Sequence, residues 1–191
     1  MQRMAFLATV LVLAASAATA QTSTWVPDPA HSEVDFTILH MSLSNVHGRF
    51  GNIKGSIVVN DADATKSTVN MTIDVTTVDT GQSARDSDLK GANFFDVAQF
   101  PTATFVSTSV AKTSSGLTVS GNLTLHGVTK PVVLEVDGPT GPMPGLDRKT
   151  HAGYSATTTV DRTAFGIGTR YPAAMLGDQI QLNVELDVAK Q

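Results

Sequence analysis

The sequence predicts an all-β fold of antiparallel strands. Eight segments alternate apolar with polar or small residues at a period of two, and no run of ten or more residues has a helical period. One stretch, Val78–Pro101, breaks the alternation. Abundant Thr, Val and Ile suit strands, and the lack of helical segments argues against a parallel βαβ arrangement. Strands with one apolar and one polar face pack as a sandwich or close into an up-and-down barrel. At eight strands a barrel interior holds side chains or one small ligand.

Residues 1–20 stand apart from this pattern. Arg3 precedes an apolar run from Met4 to Ala15, followed by small residues ending in Ala18-Thr19-Ala20. That is the pattern of a secretory signal peptide, with a mature single-domain chain over residues 21–191. The run is short for a membrane span, so no stable membrane insertion is expected. Removing it deletes Arg3 and no acid: 13 basic residues become 12 against 17 acids, and the net charge moves from −4 to −5. A weakly acidic chain argues against nucleic acid or anionic lipid as the main partner, because both require a basic face. The sequence has no cysteine, which excludes disulfides, thiolate metal sites and a lipid-attachment cysteine. The core alone must hold the fold, and a chain of this size buries roughly 70% of its surface.

The strands follow in order. Glu33–Leu39 places Val34, Phe36 and Ile38 on one face, and Ile53–Val59 does the same with Ile53, Ile57 and Val59. Ser67–Val78 aligns Val69, Met71, Ile73 and Val75 and then changes face, which predicts a bulge near Thr76. In Thr102–Val110 the alternation is ambiguous, with Phe105 opposite the Val106/Val110 pair. Leu117–His126 is regular, and Val132–Val136 starts after Pro131. Gly138–Lys149, with three prolines and three glycines, reads as an irregular loop. Ala152–Asp161 and the strongly alternating Ile180–Val188 complete the set. Within Val78–Pro101, Ser83 and Asp86 suggest a short capped helix, and Leu89, Phe94, Phe95, Val97 and Phe100 form an apolar cluster interleaved with Arg85, Asp86, Asp88, Lys90 and Asp96. Such an interruption plugs, covers or lines something, or serves as a surface loop patching the core.

Few residues point to reaction chemistry. His31, His40, His47, His126 and His151 match no short metal motif, and there is no G-x-S-x-G, phosphate-binding glycine loop or helical carboxylate pair. No metal or cofactor is expected, and a carrier fits better than an enzyme. Arg85 and Asp86 lie beside the aromatic cluster. They form either a surface ion pair or a head-group site, with Arg85 donating to a ligand and Asp86 orienting it.

The run VDTGQSARDSDLKGANFFDVAQFPTATFVSTSV, followed by GNLTLHGVTKPVVLEV, resembles the signature of the YceI-like polyisoprenoid-binding family. His31–Phe50, Asp161–Ile167 and LGDQIQLNVELDVAK agree in order and spacing, so the likeness spans the mature chain. It implies an eight-stranded antiparallel lipocalin-like barrel with a short helical insertion around residues 83–100. It also implies a periplasmic address, a homodimer, a functional link to a b-type membrane cytochrome, and a hydrophobic small-molecule ligand such as an isoprenoid or isoprenoid quinone. Two positions depart from the pattern. His151 stands where relatives tend to carry Arg, and His47 replaces a variable, often basic or aromatic residue; a head group held by either would be bound in a pH-dependent way.

The ligand site expected on this basis comprises Phe36, Ile38, His40, Phe50, Ile73, Arg85, Asp86, Phe94, Phe105, Leu123 and Leu186. Three isoprene units would supply about 10 kcal/mol by burial, before ordering costs. Two rivals stand beside the carrier. One is an enzyme acting on a lipid or quinone through His40 or His126 with a nearby acid. The other is a stress-protective or interaction module with an incidental cavity.

Overall fold

The computed structural model describes residues 21–191; the signal peptide read over residues 1–20 lies outside the described residues. Ten strands appear: β1 (Thr22–Pro27), β2 (Glu33–His40), β3 (Ser44–Phe50), β4 (Lys54–Asn60), β5 (Thr68–Asp74), β6 (Thr102–Lys112), β7 (Leu117–Leu125), β8 (Val128–Pro144), β9 (Thr150–Asp161) and β10 (Leu176–Lys190). One α-helix, α1 (Ser83–Lys90), interrupts them. All pairings between strands are antiparallel, and β1 bonds to both β4 and β10, which closes an eight-stranded barrel of β1 and β4–β10. The hairpin β2–β3 is added to the first half of β10.

This architecture agrees with the predicted barrel but corrects its composition. Two strands, β1 and β3, are additional to the expected eight. In β1 the inward positions are Ser23, Trp25 and Pro27, a mixed set that hides the period. Ser23 tolerates burial because it accepts from Trp25 Nε1 at 2.9 Å and donates to Asp61 at 3.1 Å. In β3 the inward set is broken by Gly48, because the Phe36 ring fills the space that a Cβ there would need.

Local geometry differs from expectation at five more points. The ambiguous strand is resolved by a register shift between Ser107 and Ser109, so Phe105 and Val110 both face inward while Val106 is exposed. The change of face near Thr76 is not a bulge but a 3-10 turn over Val75–Thr77, capped by Asp74. The residue capping α1 is Gln82, whose side chain accepts from Ala84 N, not Ser83. Strand β8 begins at Val128, ahead of Pro131, and pairs with β9 only from Glu135 onward. It also continues through most of the supposed loop to Pro144. Pairing with β7 ends at Val136, so Pro139, Pro142 and Pro144 sit on a one-sided strand where a missing N–H costs little.

The buried apolar residues form two clusters. Phe36, Phe50, Ile53, Ile57, Met71 and Val188 anchor the wall around β1–β5, and Phe105, Val110, Val119, Leu123, Phe165 and Ile167 anchor the opposite wall. Val69, Phe95, Leu125, Ile180 and Leu182 pack against both. A cavity lies between them. Segment Val75–Pro101 and the loop 162–175 sit at the end of the barrel where β5, β9 and β2 finish and β6 and β10 begin.

Candidate functional site

The cavity occupies about 740 Å³ and runs from Asn60 and Leu117 at one end of the barrel to Arg85 and Tyr171 at the other. That volume lies within the usual range of small-molecule sites. Strand alternation builds its walls: every second residue of a strand with one buried face points inward. Phe36, Ile38, Phe50, Ile73, Phe105, Leu123 and Leu186 line it from seven strand positions, and Phe94 covers it from the segment after α1. His40 and Arg85 lie at its rim. Asp86 does not line it.

The aromatic residues form a packed lid. Phe36 and Phe50 lie 5.4 Å apart, and Phe50 meets Phe95 edge-on at 5.4 Å. Phe94 stacks on Tyr171 at 5.6 Å, which ties the α1 side of the mouth to the 162–175 loop. Offset and edge-on contacts of this kind add about 0.5–1.5 kcal/mol each beyond burial.

At the rim, Arg85 Nε donates to Thr80 Oγ1 at 2.8 Å and Nη2 donates to the Thr80 carbonyl at 2.9 Å. Thr80 in turn donates its hydroxyl to Asp86 Oδ1 at 2.5 Å, and its N–H reaches the same oxygen at 2.9 Å. Asp86 therefore orients Arg85 through Thr80, and the expected direct Arg85–Asp86 pair is replaced by this relay. Arg85 Nη1 has no protein partner among the described residues, and Arg85 is one of the residues that line the cavity.

Several lining residues escaped the sequence reading. Tyr154 points inward from β9, and burial pushes its hydroxyl above the ordinary tyrosine value, so it stays a neutral donor. Thr80 and Asp88 also line the mouth. The alternation of Ala152–Asp161 contained the signal for Tyr154. Arg162 is 3% exposed and donates to the carbonyls of Gly177, Ile167, Gly168, Tyr171 and Leu176 and to Asp178 Oδ1. It shapes the loop that closes one side of the mouth.

The histidines do not assemble a reactive pair in the cavity. His126 Nδ1 faces the Phe165 carbonyl at 3.0 Å, and its ring meets Phe100 at 4.8 Å. His40 forms no ion pair among the described residues. Neither His47 nor His151 lines the cavity: His47 contacts Thr37 Oγ1 at 3.0 Å, and His151 lies between Asp187 at 2.6 Å and Asp147 at 3.1 Å. Asp28, His31 and Asp187 bring three ligand atoms within 4.8 Å of one another, also outside the cavity lining. Asp187 Oδ1 is already engaged by His151.

The family model for the YceI-like domain matches residues 25–188. The chain belongs to the YceI-like family. Among curated YceI-like relatives, Protein YceI of Salmonella newport (strain SL254) is 37% identical over 161 residues, 81% of each chain. A UPF0312 protein of Yersinia pestis (strain Pestoides F) is 37% identical over 158 residues, covering 81% of this chain and 80% of that one. The solved Campylobacter jejuni YCEI protein superposes with a TM-score of 0.70 at 29% identity, covering 78% of this chain and 87% of that one. Burkholderia cenocepacia BcnA gives 0.71 at 25% identity, covering 84% and 98%. A Saccharophagus degradans domain described as polyisoprenoid binding shares the fold, with a TM-score of 0.62 at 16% identity over 90% of this chain and all of that one. Among the described residues, no helix is long and apolar enough to cross a membrane.

Proposed function

We propose that this chain is an exported carrier that holds one long-chain amphiphile, of the isoprenoid or isoprenoid-quinone class, along the barrel cavity. The observation that carries this reading is the pairing of a long, apolar-walled cavity with an unpaired guanidinium donor at its mouth. The tail is held by area, at roughly 0.8 kcal/mol per buried CH₂. Arg85 donates to a carbonyl or hydroxyl head, which on entering the barrel would lose about 1–3 kcal/mol if left unpaired. The name of the Saccharophagus degradans domain suggests the ligand class to try first. The leader-like residues 1–20 support a periplasmic address.

Native mass spectrometry tests the reading on protein purified without detergent from the periplasm of cells making the full chain. The expected spectrum contains one bound lipid-sized mass. Ala156 is a buried wall residue that lines the cavity, and Ala156→Trp would set an indole across it. That variant should be recovered folded and empty. Repeatedly empty wild type, or equal lipid retention in the variant, contradicts the carrier reading.

A further inference from the structure

We propose that the β2–β3 tip and the adjoining 170–175 loop form a membrane-docking surface for anionic phospholipid headgroups, through which the cavity exchanges its ligand. The inference rests on the reading of the cavity as a lipid site. Four of the eight exposed large hydrophobic residues among the described residues gather here: Leu43 at 81%, Met41 and Met175 at 50%, and Leu39 at 42%. Two hydrogen bonds hold the turn and the loop together, Met41 N to the Met175 carbonyl at 2.8 Å and Ser42 Oγ to the Ala174 carbonyl at 3.4 Å. Pro172, Ala173 and Ala174 extend the same exposed apolar stretch.

The backbone works to present these side chains. Met41 and Ser42 both sit in the left-handed region, with φ of 52° and 55°. A turn of that kind favours Asn or Gly. The chain instead keeps an exposed Met at a conformationally costly position, and such outliers cluster at functional segments.

Charge identifies the partner. The chain has 17 acids and a net charge of −4, yet none lies between Asp35 and Asp61 or between Asp161 and Asp178. Those two acid-free stretches supply the whole tip, with His40 and Arg170 as its basic residues; Arg49, at the far end of β3, is already paired with Glu33 and Asp79. Arg170 donates to the Tyr171 hydroxyl at 2.6 Å and lies 4.8 Å from the centre of its ring. An Arg–Tyr pair beside exposed aliphatic groups suits a bilayer interface, where stems sit among acyl chains and polar ends meet headgroups. Of the acids at this end, Asp178 is paired with Arg162 at 2.8 Å and Asp161 accepts from Thr163 N, while Asp86, Asp88 and Asp96 belong to α1 and the segment after it. The bilayer therefore meets the tip and not the helix.

The patch also adjoins the opening. His40, Tyr171, Met175 and Leu176 line the cavity, and His40 pairs with Leu176 in the sheet. A tail leaving the lumen beside a docked tip would enter lipid without being exposed to water.

Co-sedimentation with vesicles of phosphatidylethanolamine and phosphatidylglycerol in equal parts tests this on the processed chain. Uptake of farnesol without vesicles, and sedimentation velocity, run alongside. Wild type should pellet with the vesicles, less so in pure phosphatidylcholine or high salt. The double variant Met41→Asp, Leu43→Asp, at two exposed residues that do not line the cavity, should lose vesicle binding by about tenfold or more while taking up farnesol normally. Wild type that binds farnesol but ignores the vesicles overturns the docking proposal alone; wild type that takes up neither overturns the cavity reading as well. Vesicle binding unchanged by the variant, with a wild-type dimer turned to monomer, makes the patch an interface between copies and also overturns the proposal.

Discussion

Two arginine corners frame the mouth of the barrel, and they use the same side chain in opposite ways. Arg162 is buried, and its guanidinium donates to five carbonyls and one carboxylate, gathering residues 167–178 around itself. Arg85 is half-buried, lines the cavity, and anchors two of its nitrogens on one residue, Thr80, which leaves Nη1 without a partner among the described residues. A planar fork with every donor used is a structural clamp. The same fork anchored along one edge is an aimed donor. Burial and saturation, not residue type, separate the two roles.

Replacing each arginine by Met should expose the contrast. Arg162→Met strands Asp178 and the carbonyls it served, and should cost about 3–5 kcal/mol. In a chain of this size, a melt should show this as a fall of roughly 10 °C or more. Arg85→Met removes two hydrogen bonds at a half-exposed corner and should cost about 1 kcal/mol in the empty protein. Equal losses in the two variants would break the distinction. The smallest effect belongs to a third corner, outside the cavity. Hydrogen bonds first to Asp187 and then to Asp147 raise the His151 pKa above its ordinary 6.5. A raised folded-state pKa stabilises fully below about 6.5, and the contribution disappears as pH rises through the folded value. Denaturant melts across pH 5.5–8.5 (an interval spanning roughly the His range) should show a small loss that His151→Gln removes, with ligand retention unchanged.

The arginine contrast was only half legible in the sequence. Arg85 could be singled out because it begins the one segment without strand alternation. Arg162 could not, since five of its six acceptors are backbone carbonyls, which carry no residue-type signature. The same logic separates the strands. Those with aliphatic residues at every second position, such as Ile180–Val188, were readable at once. β1 hides behind a buried, hydrogen-bonded Ser23, and β3 behind a glycine that makes room for Phe36. The lining residues Phe36, Ile38 and Leu186 follow directly from period two. Tyr154 shares the inward face of β9 with Ala156 and Val160, but in that small, Thr-rich strand only the pairing with β8 and β10 fixes which face turns inward. The Asp86–Thr80–Arg85 relay depends on the turn before α1, which no local pattern specifies.

A paired titration tests most directly the claim that area holds the tail while Arg85 reads the head. Wild type and Arg85→Met are each titrated with a quinone-headed isoprenoid and with the same isoprenoid tail as a plain hydrocarbon, with binding followed by tryptophan fluorescence or calorimetry. Wild type should prefer the headed ligand by about tenfold, the worth of one charge-assisted hydrogen bond. Arg85→Met should lose that preference and keep its affinity for the hydrocarbon. Equal weakening of both ligands, or a preference that survives the substitution, would contradict the account.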